Sequence, residues 1–121
     1  MNSNYQLKII QWNARGLNKS RLSEFKTNLD TLDPTLVLLS ETQWSNKYLP
    51  LFSNYNLFFK NRPRNTFGGV AILVKKKISY VPLTLPDSNN YEAVGLTLVL
   101  KDLEKLEIIS FYSPQRQLQP K

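Results

Sequence analysis

Glu41 closes an apolar run, Leu36-Val37-Leu38-Leu39-Ser40, where the chain turns polar. The run is entered through Asp33-Pro34, a turn signal, and reads as a short buried strand. The carboxyl ends of such strands are where open α/β sheets gather their sites. A carboxylate there is placed for chemistry; a solvated strand-end carboxylate is the plainer alternative, and the residues alone leave both open. The chain has no histidine and no cysteine. That excludes, within it, a Ser-His-Asp triad, a His general base, a His-rich zinc site, a thiolate metal site, a Cys nucleophile and any disulfide. Arg62 and Arg64 occupy a loop with Pro63 and suit contacts to backbone phosphates, with plain solvation as the alternative. Lys75-Lys76-Lys77 reads as a solvated edge that discourages strand pairing.

The charge balance points the same way. Sixteen Lys and Arg against nine Asp and Glu give a formal charge of +7 and a pI near 9.7. A balance of this sign favours a polyanionic partner, nucleic acid first, with a soluble domain that merely happens to be basic as the alternative. The 121 residues, 41% hydrophobic and 12% aromatic, suit one globular domain. No apolar run approaches the ~20 residues of a membrane span, and Met1-Asn2-Ser3-Asn4 does not open a secretory signal. An intracellular location, nuclear or cytoplasmic, is the expectation.

The elements that must position Glu41 follow in order. Leu7 to Trp12 reads as a strand, with Leu7, Ile9 and Gln11 on one face. A loop follows through Asn13-Ala14-Arg15-Gly16. Ser20 is the expected cap of a helix over 20–32, with Leu22, Phe25, Leu29 and Leu32 as its apolar stripe. The strand-helix-strand order makes the strands at 7–12 and 36–39 parallel neighbours. Further strands are expected at Tyr55–Lys60, at Val70–Val74 after Gly68-Gly69, and at Ile78–Leu85, interrupted by Pro82. A hairpin is expected from Tyr91–Leu100 and Leu106–Tyr112. Leu36–Leu39 and Val70–Val74 are apolar on consecutive residues, so each needs cover on both faces. The expected fold class is α/β (α+β), one mixed sheet with one main helix. One helix covers one face, so the other face is expected to lie uncovered and to invite self-association.

Four segments follow one another: Ile10-Gln11-Trp12-Asn13 with Gly16-Leu17, then Leu39-Ser40-Glu41-Thr42, then Gly68-Gly69-Val70-Ala71-Ile72-Leu73-Val74, then Phe111-Tyr112-Ser113-Pro114. In this order they resemble the endonuclease/exonuclease/phosphatase superfamily. Within it, the wording is most similar to the apurinic-type endonuclease domain of non-LTR retrotransposons. The resemblance runs from about Leu7 to Pro114 and implies the N-terminal half of a DNase I-like four-layer α/β sandwich. It implies a domain portion over 1–114 and a polar tail over 115–121.

The resemblance also implies roles. Asn13 matches the Asn that orients the phosphate, Glu41 the glutamate that holds the divalent metal (Mg2+ or Mn2+), and Tyr112 the tyrosine near the scissile phosphate. Glu92 matches an acidic residue often found at its strand start. Arg15, Arg62 and Arg64 are the implied nucleic-acid contacts, and DNA the implied substrate. Mg2+ keeps several waters and is commonly held by one or two carboxylates, so one Glu is a sufficient protein anchor if a second carboxylate comes from elsewhere. Asn13 and Tyr112 also have ordinary readings, as a turn residue and as a core-edge tyrosine.

The family's second half carries a Gly-Asp-Phe-Asn-like segment and a Ser-Asp-His-like segment, and neither occurs in this sequence. The implied reading is the N-terminal part of a metal-dependent DNA endonuclease, inactive without its second half. The alternatives are a non-catalytic nucleic-acid-binding remnant and a functionless truncated element copy. A phosphoesterase for small substrates fits the basic charge less well.

Overall fold

The computed structural model describes residues 7–44, 49–61, 68–87, 90–100 and 104–113. Among them are one helix and seven strands in the order β1 (Ile9–Asn13), α1 (Lys19–Leu32), β2 (Leu36–Ser40), β3 (Tyr55–Lys60), β4 (Val70–Lys75), β5 (Tyr80–Leu83), β6 (Glu92–Val99) and β7 (Lys105–Tyr112). The polar tail expected over 115–121 lies outside the described residues.

The strands form two sheets, in the orders β1-β2-β4-β3 and β5-β6-β7. In the first, β1 runs parallel to β2 and places Asn13 opposite Ser40, as the strand-helix-strand order requires. β4 then lies antiparallel between β2 and β3. The hairpin of β6 and β7, with β5 added at its edge, builds the second sheet. Pro82 is tolerated because β5 is an edge strand, where a missing N–H breaks no ladder.

The second sheet corrects the expectation of one mixed sheet with an uncovered face. β2 and β4 are buried on both sides, as their unbroken apolar runs require, but this chain supplies both covers. On one side, Leu22, Phe25 and Leu29 of α1 pack with Val37, Leu39, Ala71 and Leu73. On the other, Leu36, Ile72 and Val74 pack with Leu96, Leu98 and Ile108 of the second sheet. Helix, first sheet and second sheet are thus three successive layers. Exposed apolar side chains remain on the far side of the second sheet and its edge, at Val81 (55%), Ile109 (44%) and Phe111 (55%), and also outside that sheet, at Leu51 (85%) above all.

Two local expectations also change. The cap of α1 is Asn18, whose side-chain oxygen accepts from the Arg21 N–H at 3.1 Å and from the Ser20 hydroxyl at 2.8 Å. Asn competes for a cap as well as Ser, and the residue nearer the N-terminus starts the helix here. At the other end Leu32 is 45% exposed, because the chain leaves the helix through Asp33 in a left-handed conformation. In β1, Ile10 and Trp12 face the helix and Trp12 stacks on Phe25 at 5.4 Å. The face carrying Ile9 and Gln11 is open, because the second sheet packs over β2, β3 and β4.

Candidate functional site

Asn13, Glu41, Glu92 and Tyr112 all fall at one end of the two sheets. Asn13 ends β1 and Glu41 follows β2 directly. Glu92 opens β6 opposite Tyr112, which ends β7. The two sheet ends are pinned together by a buried bond: the Ser110 hydroxyl donates to the Leu39 carbonyl at 2.9 Å. Ser110 and Tyr112 share a face of β7, and Leu39 and Glu41 are likewise two residues apart. Tyr112 therefore lies on the face of β7 turned toward the first sheet.

The backbone around Glu41 is held on both sides. Beyond the end of β1, the N–H groups of Ala14, Gly16 and Leu17 donate to the carbonyls of Ser40 (2.8 Å), Glu41 (2.7 Å) and Thr42 (3.0 Å). On the β4 side the Gln43 N–H donates to the Gly68 carbonyl at 2.8 Å. The indole N–H of Trp44 donates to the Leu17 carbonyl at 3.0 Å within the core. Within this frame Arg15, Glu41 and Gln43 take left-handed φ values of 48°, 52° and 56°. Such values cost energy in non-glycine residues and cluster at functional sites. Asp33, at the end of α1, is the other such residue among those described.

The side chains divide into two kinds. Glu41 is half-buried, and among the described residues no hydrogen bond or ion pair holds its carboxylate. Asn13 is exposed, and its side-chain oxygen accepts from the Arg15 N–H at 3.2 Å, a local turn that leaves its N–H groups as donors. Glu92, by contrast, is buried, and one carboxylate oxygen accepts from the Gly69 N–H at 3.0 Å. It ties the second sheet to the turn that opens β4. Gly69 sits at φ 93°, and a Cβ there would stand 2.6 Å from the Thr42 hydroxyl, so only glycine fits.

Arg15 is exposed at the rim of a notch of about 310 Å3, also lined by Asn18, Lys19, Arg21 and Gln43. Arg62 and Arg64 lie outside the described residues. Four contributors escaped the sequence reading: Arg21, Thr42, Gly69 and Ser110. Gly69 carried a signal as half of a Gly-Gly pair, but the others look like ordinary surface or strand residues until the loops are folded.

No group of three or more acidic, His or Cys side chains that could hold a metal occurs among the described residues. The site is thus no closed cage of the kind that structural zinc requires. One partly exposed carboxylate, unengaged by its described neighbours, fits a hard cation that keeps its waters and takes the remaining ligands from a bound phosphate.

The comparisons with known proteins bear on the family and the fold. The model of the Endonuclease/Exonuclease/phosphatase family matches residues 10–111. The RNA-directed DNA polymerase from mobile element jockey of Drosophila melanogaster is 30% identical over 112 residues, 89% of this chain and 12% of that protein. Among solved structures, the 3′ phosphatase NExo from Neisseria bound to a product DNA hairpin superposes with a TM-score of 0.59 at 22% identity, covering 77% of this chain and 38% of that one. An AP endonuclease from Archaeoglobus fulgidus gives 0.54 at 20% identity, covering 79% and 38%. The chain therefore spans well under half the length of these relatives. The chain shares the DNase I-like fold of these structures, and its described residues build it from two sheets and one helix.

Proposed function

Because the chain belongs to the Endonuclease/Exonuclease/phosphatase family, we propose that it forms the N-terminal, phosphate-facing half of a divalent-metal-dependent DNA phosphodiesterase. The portion concerned is 1–114. The observation that carries this reading is the convergence of Asn13, Glu41 and Tyr112 at one end of two sheets pinned by Ser110 and Leu39.

In this reading Glu41 holds Mg2+, or Mn2+ in its place, through one carboxylate. A cation held there would supply charge stabilisation to the phosphate oxygens. The Asn13 side-chain N–H groups donate to a phosphate oxygen and fix its orientation, while the amide oxygen is held by the Arg15 N–H. The Tyr112 hydroxyl donates beside the scissile bond. Glu92 acts at one remove, holding the Gly68-Gly69 turn against which the Glu41 segment rests. Arg15, with Arg62 and Arg64, neutralises flanking phosphates of the DNA backbone. DNA is favoured as substrate by the charge of +7 and by the product DNA hairpin bound to the Neisseria phosphatase.

The chain has no histidine, so it cannot supply the family's Asp-His pair, and the group that activates water must come from the second half of the fold. We assign the docking of that half to the exposed apolar face and edge of the second sheet. We place the protein inside the cell, in the nucleus or cytoplasm; no described helix is long and apolar enough to cross a membrane.

The test is nicking of supercoiled plasmid with Mg2+, by the chain alone and with the second half of a family domain supplied. The chain alone should leave the plasmid intact and the pair should nick it. Nicking by the chain alone that disappears in Glu41→Ala would overturn the half-site reading. The charge also favours a second reading, a non-catalytic nucleic-acid-binding remnant. That reading expects salt-sensitive DNA binding and no nicking even after complementation.

A further inference from the structure

We infer that Arg21 is a positioning residue for the Glu41 site, an inference that rests on the metal-holding reading of Glu41. One guanidinium nitrogen of Arg21, Nη1, donates to three consecutive carbonyls: Ala14 at 2.8 Å, Arg15 at 3.1 Å and Gly16 at 2.8 Å. These belong to the loop whose N–H groups, on its other side, bond the carbonyls of Ser40, Glu41 and Thr42. The loop is therefore gripped from both sides, by Arg21 through its C=O groups and by the Glu41 segment through its N–H groups.

Three carbonyls turned toward one point repel one another, and a cation between them removes that repulsion. Arg21 supplies the cation from the first turn of α1, whose cap is Asn18. Its guanidinium also lies over the Trp12 ring, 5.7 Å from the centroid, which limits its sweep. The grip holds Arg15 and Gly16 in left-handed conformations, and so sets the direction of the Gly16 N–H that bonds the Glu41 carbonyl at 2.7 Å. Among the described residues Arg21 makes no hydrogen bond or ion pair to Glu41 or Asn13, and it acts through the loop between them. Lysine retains the charge, but its side chain is one atom shorter and offers no flat face to Trp12.

The test uses the chain as it is, with Arg21→Ala and Arg21→Lys. Amide hydrogen exchange at Ala14, Gly16 and Leu17 reports the loop, and line broadening by Mn2+ at the Glu41 amide reports the metal site. In Arg21→Ala, exchange at the three loop amides should rise at least tenfold and Mn2+ should bind at least tenfold more weakly. Exchange at Leu29 and Ile72 should stay as in the parent chain, and Arg21→Lys should fall between the two. Unchanged exchange at the loop amides overturns the proposal. So does Mn2+ broadening that is equal in the parent chain and in Arg21→Ala. Broadening absent from the parent chain itself overturns the metal reading of Glu41, and the positioning role falls with it.

Discussion

A carboxylate that holds a cation and one that holds a backbone N–H respond differently to the same substitution. Glu92 is the second kind. Glu92→Ala leaves the buried Gly69 N–H without this acceptor and should cost about 1–3 kcal/mol. Glu92→Gln keeps a neutral acceptor and should recover most of that, as read by urea denaturation. Equal losses in both variants would show that the charge, not the bond, is what the fold needs. Gly69→Ala should also destabilise by about 1–3 kcal/mol, because φ 93° is strained for alanine and the new methyl meets the Thr42 hydroxyl. Glu41 was legible in the sequence because a polar residue ending an apolar run has one place to be. Arg21 was not. A basic residue at position three of a helix looks solvated, and only the folded loop reveals three carbonyls around it.

The elements were more legible than their arrangement. Consecutive apolar residues in β2 and β4 required two covers, and the structure supplies them as α1 and the second sheet. The β6–β7 hairpin was readable from its alternation. Alternation says that one face is buried, though, not against what, so the second sheet went unseen. Ser110 sits at this junction. Ser110→Ala removes the bond to the Leu39 carbonyl and should lower stability by about 1 kcal/mol. A loss confined to β3, away from the junction, would contradict the pinning role. Tyr55 fixes the opposite end of the sheet, its hydroxyl donating to the Pro34 carbonyl at 2.6 Å. Burial, helped by the nearby charges of Asp33 and Asp30, pushes its phenol up from 10.0 to about 12. The folded state thus holds this proton more tightly than the unfolded chain does. The stability it contributes is complete below pH 10 and is lost as pH rises toward about 12. Denaturation midpoints across that window should fall in the parent chain, and less steeply in Tyr55→Phe. Parallel slopes would place the titration elsewhere.

At the scale of the whole molecule, the basic charge and the exposed Val81, Ile109 and Phe111 are the surface features on which the two proposed partners, DNA and the second half of the domain, would act. Phe111→Asp should reduce self-association of the chain in sedimentation, and should weaken complementation by the second half of a family domain at least tenfold. Complementation that is indifferent to Phe111→Asp would move the docking face. In the function proposed here the family's chemistry enters through Glu41, whose carboxylate no described neighbour restrains. The most direct measurement is therefore the rate of Mg2+-dependent plasmid nicking by the complemented pair, in the parent and in Glu41→Gln. Nicking should fall at least a hundredfold, with DNA affinity within a few-fold of the parent. An unchanged nicking rate in Glu41→Gln would contradict the account.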